Sequence, residues 1–137
     1  MASEAKSMVY QNAASDTDLA TAAAEWNAQN GSTGRNSKYV TSIIVTEAAG
    51  ATQGIITITY TAATGAAVSG KTLLLSPYIR GGAGGTAAEA LGTALGKGTD
   101  GAMDWACTSL GNDNATNRNM AAGKGTMPVK FAPSECK

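Results

Sequence analysis

The residues with chemistry to offer in this chain of 137 are few: two cysteines, one glycine-lysine-threonine run and some scattered acids, with no histidine. Cys107 and Cys136 lie toward the C-terminal end, the second one residue from the last. A structural zinc site takes about four Cys, His or carboxylate ligands in clustered spacings, and no histidine or third cysteine exists to complete one. A redox dithiol takes Cys-x-x-Cys, and a cysteine nucleophile takes a histidine base; neither is present. What remains is a disulfide or two free thiols, and the disulfide is the expectation. It would close a loop of about thirty residues, worth roughly 3.5 kcal/mol through the entropy of the unfolded chain. It would also place the protein in an oxidising compartment, the periplasm or the cell exterior.

The other motifs carry less. Gly65-Ala66-Ala67-Val68-Ser69-Gly70-Lys71-Thr72 fits the phosphate-loop pattern. That loop must follow a strand and open a helix, so that backbone N–H groups face the phosphates. Here Leu73-Leu74-Leu75-Ser76-Pro77 follows, which reads as a strand, so the run is expected to be a hairpin turn. Gly82-Ala83-Gly84 is weaker, because the third glycine of the dinucleotide fingerprint falls on Ala87. Asp100 and Asp104 are of the type that pairs across a glycosidic bond, but they read as solvated charges at a strand start. Without histidine a general base must be a carboxylate or lysine, and no Gly-x-Ser-x-Gly elbow occurs. The expectation is therefore no enzyme, no metal and no cofactor. Lys124 and Lys130, with Asn117 and Arg118, form a candidate binding surface inside the cysteine loop, for an anionic glycan or DNA; the plainer reading is a solvated surface.

The elements that must hold these residues follow from pattern. One domain over 1–137 is expected from the length. Ten basic and ten acidic residues cancel, and such balance supplies no basic stripe for nucleic acid or an acidic membrane. Abundant Gly, Ala, Thr and Ser with a single Phe suit an extracellular, lightly packed β-rich domain. No stretch approaches the roughly twenty apolar residues of a membrane span, and Met1-Ala2-Ser3-Glu4 is no export signal. A disulfide protein without such a signal is expected to be cut from a longer native chain just before Ala2, with Met1 an added start.

From Ala2 to about Asn27, Ala5, Met8, Val9, Leu19, Ala23 and Trp26 fall on one helical face. The polar patch of Asn12 and Asp16 and the capping box Ser15-Asp16-Thr17-Asp18 allow a break and restart near Ser15. One continuous helix, about 2–28, is the expectation. Asn30-Gly31-Ser32-Thr33-Gly34 ends it. The period then becomes two. Tyr39 to Thr46 and Ile55 to Thr61 read as an antiparallel hairpin, Lys71 to Ser76 as a third strand ended or placed at an edge by Pro77, and Ala102 to Thr108 as a fourth with Trp105 and Cys107 on one face. A glycine-rich insertion occupies about 81–101; its Gly81-Gly82-Ala83-Gly84-Gly85 run is not expected to be rigid by itself, and a short helix is expected at Thr86 to Leu95. The segment after Thr108 is expected to be irregular, with little to order it besides the disulfide. Helix first, then strands, means α+β.

Together these pieces resemble the globular domain of a bacterial type IV pilin of the IVa subclass. The resemblance rests on Ala2-Ser3-Glu4-Ala5-Lys6, on Lys38-Tyr39-Val40 opening the first strand, on Gly70-Lys71-Thr72-Leu73 opening the third, and on Trp105-Ala106-Cys107-Thr108-Ser109 with Cys136. It implies an N-terminal helix on a four-stranded antiparallel sheet, over about 38–108, and a disulfide closing the D-region, 107–136, a variable loop that serves adhesion in some members. Ala2 to about Asn27 would match the second half of a long helix. The first half would anchor the subunit in the inner membrane and then form the core of an extracellular filament. Implied partners are other pilin subunits, the pilus assembly machinery, and a host-cell glycan, surface or DNA; implied roles are adhesion, twitching motility and DNA uptake. Compared with the family pattern, the D-region is long and the loop between helix and first strand is short. The rivals are a minor pilin, a type II secretion pseudopilin, which commonly has a calcium loop in place of the disulfide, and a secreted glycan-binding module. The native sequence upstream of Ala2 would discriminate them.

Overall fold

The computed structural model describes residues 1–81 and 88–137. The flexibility expected of Gly82 to Gly85, the fingerprint position Ala87 and the expected helix start at Thr86 lie outside them. Among the described residues no helix is long and apolar enough to cross a membrane.

The N-terminal segment is two helices, α1 (Ala2–Gln11) and α2 (Asp16–Asn27), which corrects the expectation of a continuous one. Ser15 between them is extended, with φ −151° and ψ 161°. Its hydroxyl oxygen accepts the Asp18 N–H at 3.1 Å and its O–H donates to Asp18 Oδ2 at 2.8 Å. The capping box therefore functions as a true N-cap, satisfying a donor that a new helix leaves open. Asn12 closes the helix behind it, its Nδ2 donating to Met8 O at 2.8 Å. The apolar face survives the break: Ala5 and Val9 from α1, and Leu19, Ala23 and Trp26 from α2, are buried.

This face packs on a sheet of β1 (Val40–Val45), β2 (Ile56–Tyr60), β3 (Thr72–Arg80), β4 (Ala88–Ala90) and β5 (Ala102–Thr108), all paired antiparallel. Cross-strand neighbours Ile43 and Ile58, and Val45 and Ile56, share the helix side with Leu75 and Ile79, so alternation on each strand delivers one continuous core. The helix is locked to the sheet by polar groups as well. Trp26 Nε1 donates to Ile43 O at 2.8 Å, and the Asn27 amide donates to Val45 O and accepts from Val45 N, both at 2.8 Å. Between them the chain turns through a single turn, α3 (Gln29–Ser32), to Gly34 with φ +65°. A Cβ at Gly34 would lie 2.1 Å from Ile43 O, so only glycine lets the chain pass there.

Two strand expectations need correction. The sheet has five strands rather than four, the extra one being the three-residue β4 inside the segment read as a glycine-rich insertion. Pro77 neither ends β3 nor marks an edge; β3 runs on to Arg80 and is central. Its partners explain this. β5 pairs with residues 74–80 along one side, while β2 takes 72–75 and β4 takes 78–80 along the other. Pro77 sits in the gap between β2 and β4, where its missing N–H removes no ladder bond on that side. The helix of the insertion, α4, spans Leu91–Lys97, later than expected, because Ala88 to Ala90 are taken up by pairing with β3. Its Leu91 and Ala94 join the core.

Candidate functional site

The segment that the motifs single out begins where β5 ends. Cys107 and Cys136 form a disulfide with a Cα–Cα distance of 4.5 Å and 29 residues of separation. Among the described residues no cysteine is free and no three His, Cys, Asp or Glu side chains gather as a metal site.

The enclosed chain is better ordered than its composition suggests, which corrects the expectation of an irregular tail held by the disulfide alone. It contains a short helix, α5 (Asp113–Asn117), and 3₁₀ turns at Val129–Phe131 and Ser134–Cys136. Its first half covers the outer face of the sheet, where Ala115, Met120 and Ala122 pack on Tyr78 and Ala106. Its second half forms another cluster, with Met127, Ala132 and Cys136 against Val68 and Leu73. Hydrogen bonds that end on the backbone of the loop add to these two clusters. Leu110 N donates to Met127 O at 2.9 Å, Thr108 Oγ1 to Gly123 O at 2.5 Å and Ser109 Oγ to Cys136 O at 2.6 Å.

The four sequence-derived candidates fall in different surroundings. Lys124 is exposed, and Lys130 is exposed with its Nζ 4.9 Å from the Phe131 ring centroid. Asn117, at the end of α5, is exposed. Arg118 is engaged: its Nη2 donates to both carboxylate oxygens of Asp104, at 2.6 and 2.7 Å, and its Nη1 to Trp105 O at 3.3 Å. Arg80 Nε donates to the same Asp104 at 2.7 Å, and Arg80 Nη2 to Arg118 O, also at 2.7 Å. Burial of Asp104 alone would raise its carboxyl. The hydrogen bonds from Arg80, the Trp105 N–H and Arg118, with the charge of Arg118, outweigh that and hold it below the usual carboxylate range. Asp104 is thus a bracket between β3, β5 and the loop, and Asp100 is exposed in the turn before β5.

Sequence reasoning missed the apolar side chains the loop exposes. Leu110, Val129 and Phe131 are 51%, 41% and 47% exposed, half of the large exposed hydrophobics among the described residues. Gly111, the residue after Leu110, lies close to Val129, since a Cβ there would sit 3.2 Å from Val129 Cγ2. A signal was available: the only Phe of the chain follows a lysine in the loop. Elsewhere, Gly65 to Lys71 form the turns that lead into β3 and not into a helix.

The pilin family model, described as a bacterial filament protein, matches residues 1–137. The chain is similar to the type IV pilin of Pseudomonas aeruginosa strain Pa110594 in its crystal structure, with a TM-score of 0.82 and 40% identity, over 98% of this chain and 88% of that one. No curated protein sequence gives a match. Fold, disulfide and sequence agree, and the chain belongs to the pilin family as a type IV pilin, a non-enzymatic structural subunit of a bacterial pilus filament.

Proposed function

We propose that the disulfide-closed loop of this pilin is the surface by which its filament adheres to host cells and other surfaces. The observation that carries the reading is the exposure of Leu110, Val129 and Phe131 on a backbone braced by the Cys107–Cys136 bond. Exposed apolar side chains on an ordered scaffold can be buried by a partner without first paying to order the loop. Lys130, whose Nζ is 4.9 Å from the Phe131 ring centroid, and Lys124, exposed in the same loop, favour an anionic or hydrogen-bonding partner. The subunit would reach that position by packing with other pilins after release from an inner-membrane anchor, through the pilus assembly machinery. Extension and retraction of the filament would then supply twitching motility.

DNA uptake is the second role the family suggests. Zero formal charge offers no broad cationic face, so a DNA contact would rest on Lys124 and Lys130. The test is adhesion of the purified protein to epithelial cells and to polystyrene, comparing the parent with Val129→Ser/Phe131→Ser and with Lys124→Gln/Lys130→Gln. Loss of binding in the first variant supports adhesion through the apolar group. Unchanged binding in both overturns it, and salt-sensitive DNA binding lost only in the second would favour DNA.

A further inference from the structure

β5 is the outside strand of the sheet. β3 pairs along one side of it, and among the described residues no strand takes the other side. Pro77 of β3 stands opposite Trp105 and has no N–H to give. The N–H and C=O of Trp105 accordingly point away from β3, and by the alternation of an antiparallel ladder those of Met103, two residues back, point the same way. Such an outward row of backbone groups is a template for one more strand.

Side chains have already taken the groups in the middle of that row. Trp105 N donates to Asp104 Oδ1 at 2.8 Å, and Trp105 O accepts from Arg118 Nη1 at 3.3 Å. Both covering residues are fixed in turn. Arg118 Nη2 donates to the two oxygens of Asp104, Arg80 Nε donates to Asp104 Oδ2, and Arg80 Nη2 donates to Arg118 O. The opposite edge of the sheet is closed by the same device, since the Asn27 amide takes both the N–H and the C=O of Val45 on β1. A filament packs copies of one chain at high effective concentration, so the strand nearest to hand for a bare β5 is the β5 of another copy. Two such edges pair antiparallel about a two-fold axis, each supplying what the other lacks.

We propose that Asp104 and Arg118 form a guard on the β5 edge, an autoinhibitory contact that keeps two copies of this chain from joining there into one continuous sheet. The guard goes beyond the adhesive reading and does not rest on it, because Leu110, Val129 and Phe131 take no part in these bonds.

The test is sedimentation velocity of the oxidised protein over a concentration series up to about 1 mM, with amide hydrogen exchange measured at its two ends. The parent should stay monomeric. Asp104→Ala/Arg118→Ala, which uncovers both groups of Trp105, should dimerise with a Kd on the order of 0.1 mM and protect the Met103 and Trp105 amides as it does so. Arg118→Ala alone uncovers only the C=O and should dimerise roughly tenfold more weakly, which keeps the test open if the double variant folds poorly. Adding Met103→Pro to the double variant should restore the monomer; the N–H it removes lies on the outward side, so no bond to β3 is lost. Three results would each overturn the proposal: both uncovered variants monomeric at the highest concentration; a dimer in which the Met103 and Trp105 amides stay unprotected; or association that Met103→Pro leaves in place, which would mean that the variants aggregate by unfolding.

Discussion

Thr72 and Thr126 hold each other through a reciprocal pair of hydrogen bonds. Thr72 N donates to Thr126 Oγ1 at 2.9 Å and Thr126 N to Thr72 Oγ1 at 3.1 Å. The N–H groups of Thr126 and Met127 also point at Thr72 O, both at 3.0 Å. β5 stops opposite Leu74, so the edge of β3 at Thr72 would otherwise be bare. The loop continues the role of β5 along that edge, closing a row of open backbone groups that would invite pairing with another chain.

The contribution of the disulfide can therefore be separated from that of the loop's own contacts. Cys136→Ser should lower unfolding stability by about 2 to 4 kcal/mol, because the cross-link mainly restricts the unfolded chain. The native loop should nonetheless stay seated, with the Thr126 and Met127 amides still protected from hydrogen exchange. Thr126→Val, in the oxidised protein, should cost about 0.5 to 1.5 kcal/mol by taking a hydroxyl partner from the exposed Thr72 N–H. Denaturant melts and exchange rates of the two variants check this. An unchanged midpoint for Cys136→Ser would show that packing alone holds the loop, and loss of protection would show that the disulfide does.

Asp104 should make stability depend on pH in the acid range. Its folded pKa lies below the ordinary aspartate value of about 3.9, so between the two the unfolded chain binds the extra proton. The stabilisation is complete above the unfolded value and is lost as pH falls through the folded one. At pH 7, Asp104→Asn should cost about 1 to 2 kcal/mol, at the low end for charged hydrogen bonds because the Arg118 side is partly solvated. That difference from the parent should shrink steadily from about pH 5 downward. Urea midpoints of both proteins at pH 7, 4 and 2.5 check it; a gap independent of pH would mean that Asp104 acts by packing rather than by charge.

Much of the fold was legible because it is written in period and in residue type. β5 falls on Ala102 to Thr108 as its alternation indicates, with Trp105 and Cys107 on one face. The hairpin of β1 and β2 sits within two β-branched runs. What the local pattern could not show was tertiary. Pro77 looks like a terminus until one knows that two different strands meet on its side of β3. Ala88 to Ala90 have no strand character of their own and pair only because β3 offers an edge there. Arg118 reads as a free surface cation in sequence, but a carboxylate 14 positions away claims it. The loop's order lies in side-chain to backbone bonds such as Asn114 Nδ2 to Ser134 O, at 2.5 Å, which leave no periodic trace.

The break at Ser15 offers a measurement in which two readings of one motif give opposite signs. In a continuous helix Ser15 would be an interior position, where alanine is the better helix former and Ser15→Ala would raise stability by a few tenths of a kcal/mol. As the N-cap of α2, Ser15 satisfies the Asp18 N–H, and the same substitution should lower stability by about 1 kcal/mol. Asp18→Ala should cost less, since it removes only the return bond from the Ser15 hydroxyl and an acid favourably placed at the helix N-terminus. Circular dichroism melts of the two variants decide it. A gain in midpoint for Ser15→Ala would restore the single helix; a loss confirms that α1 and α2 are separate elements, free to differ in how firmly each is held to the sheet.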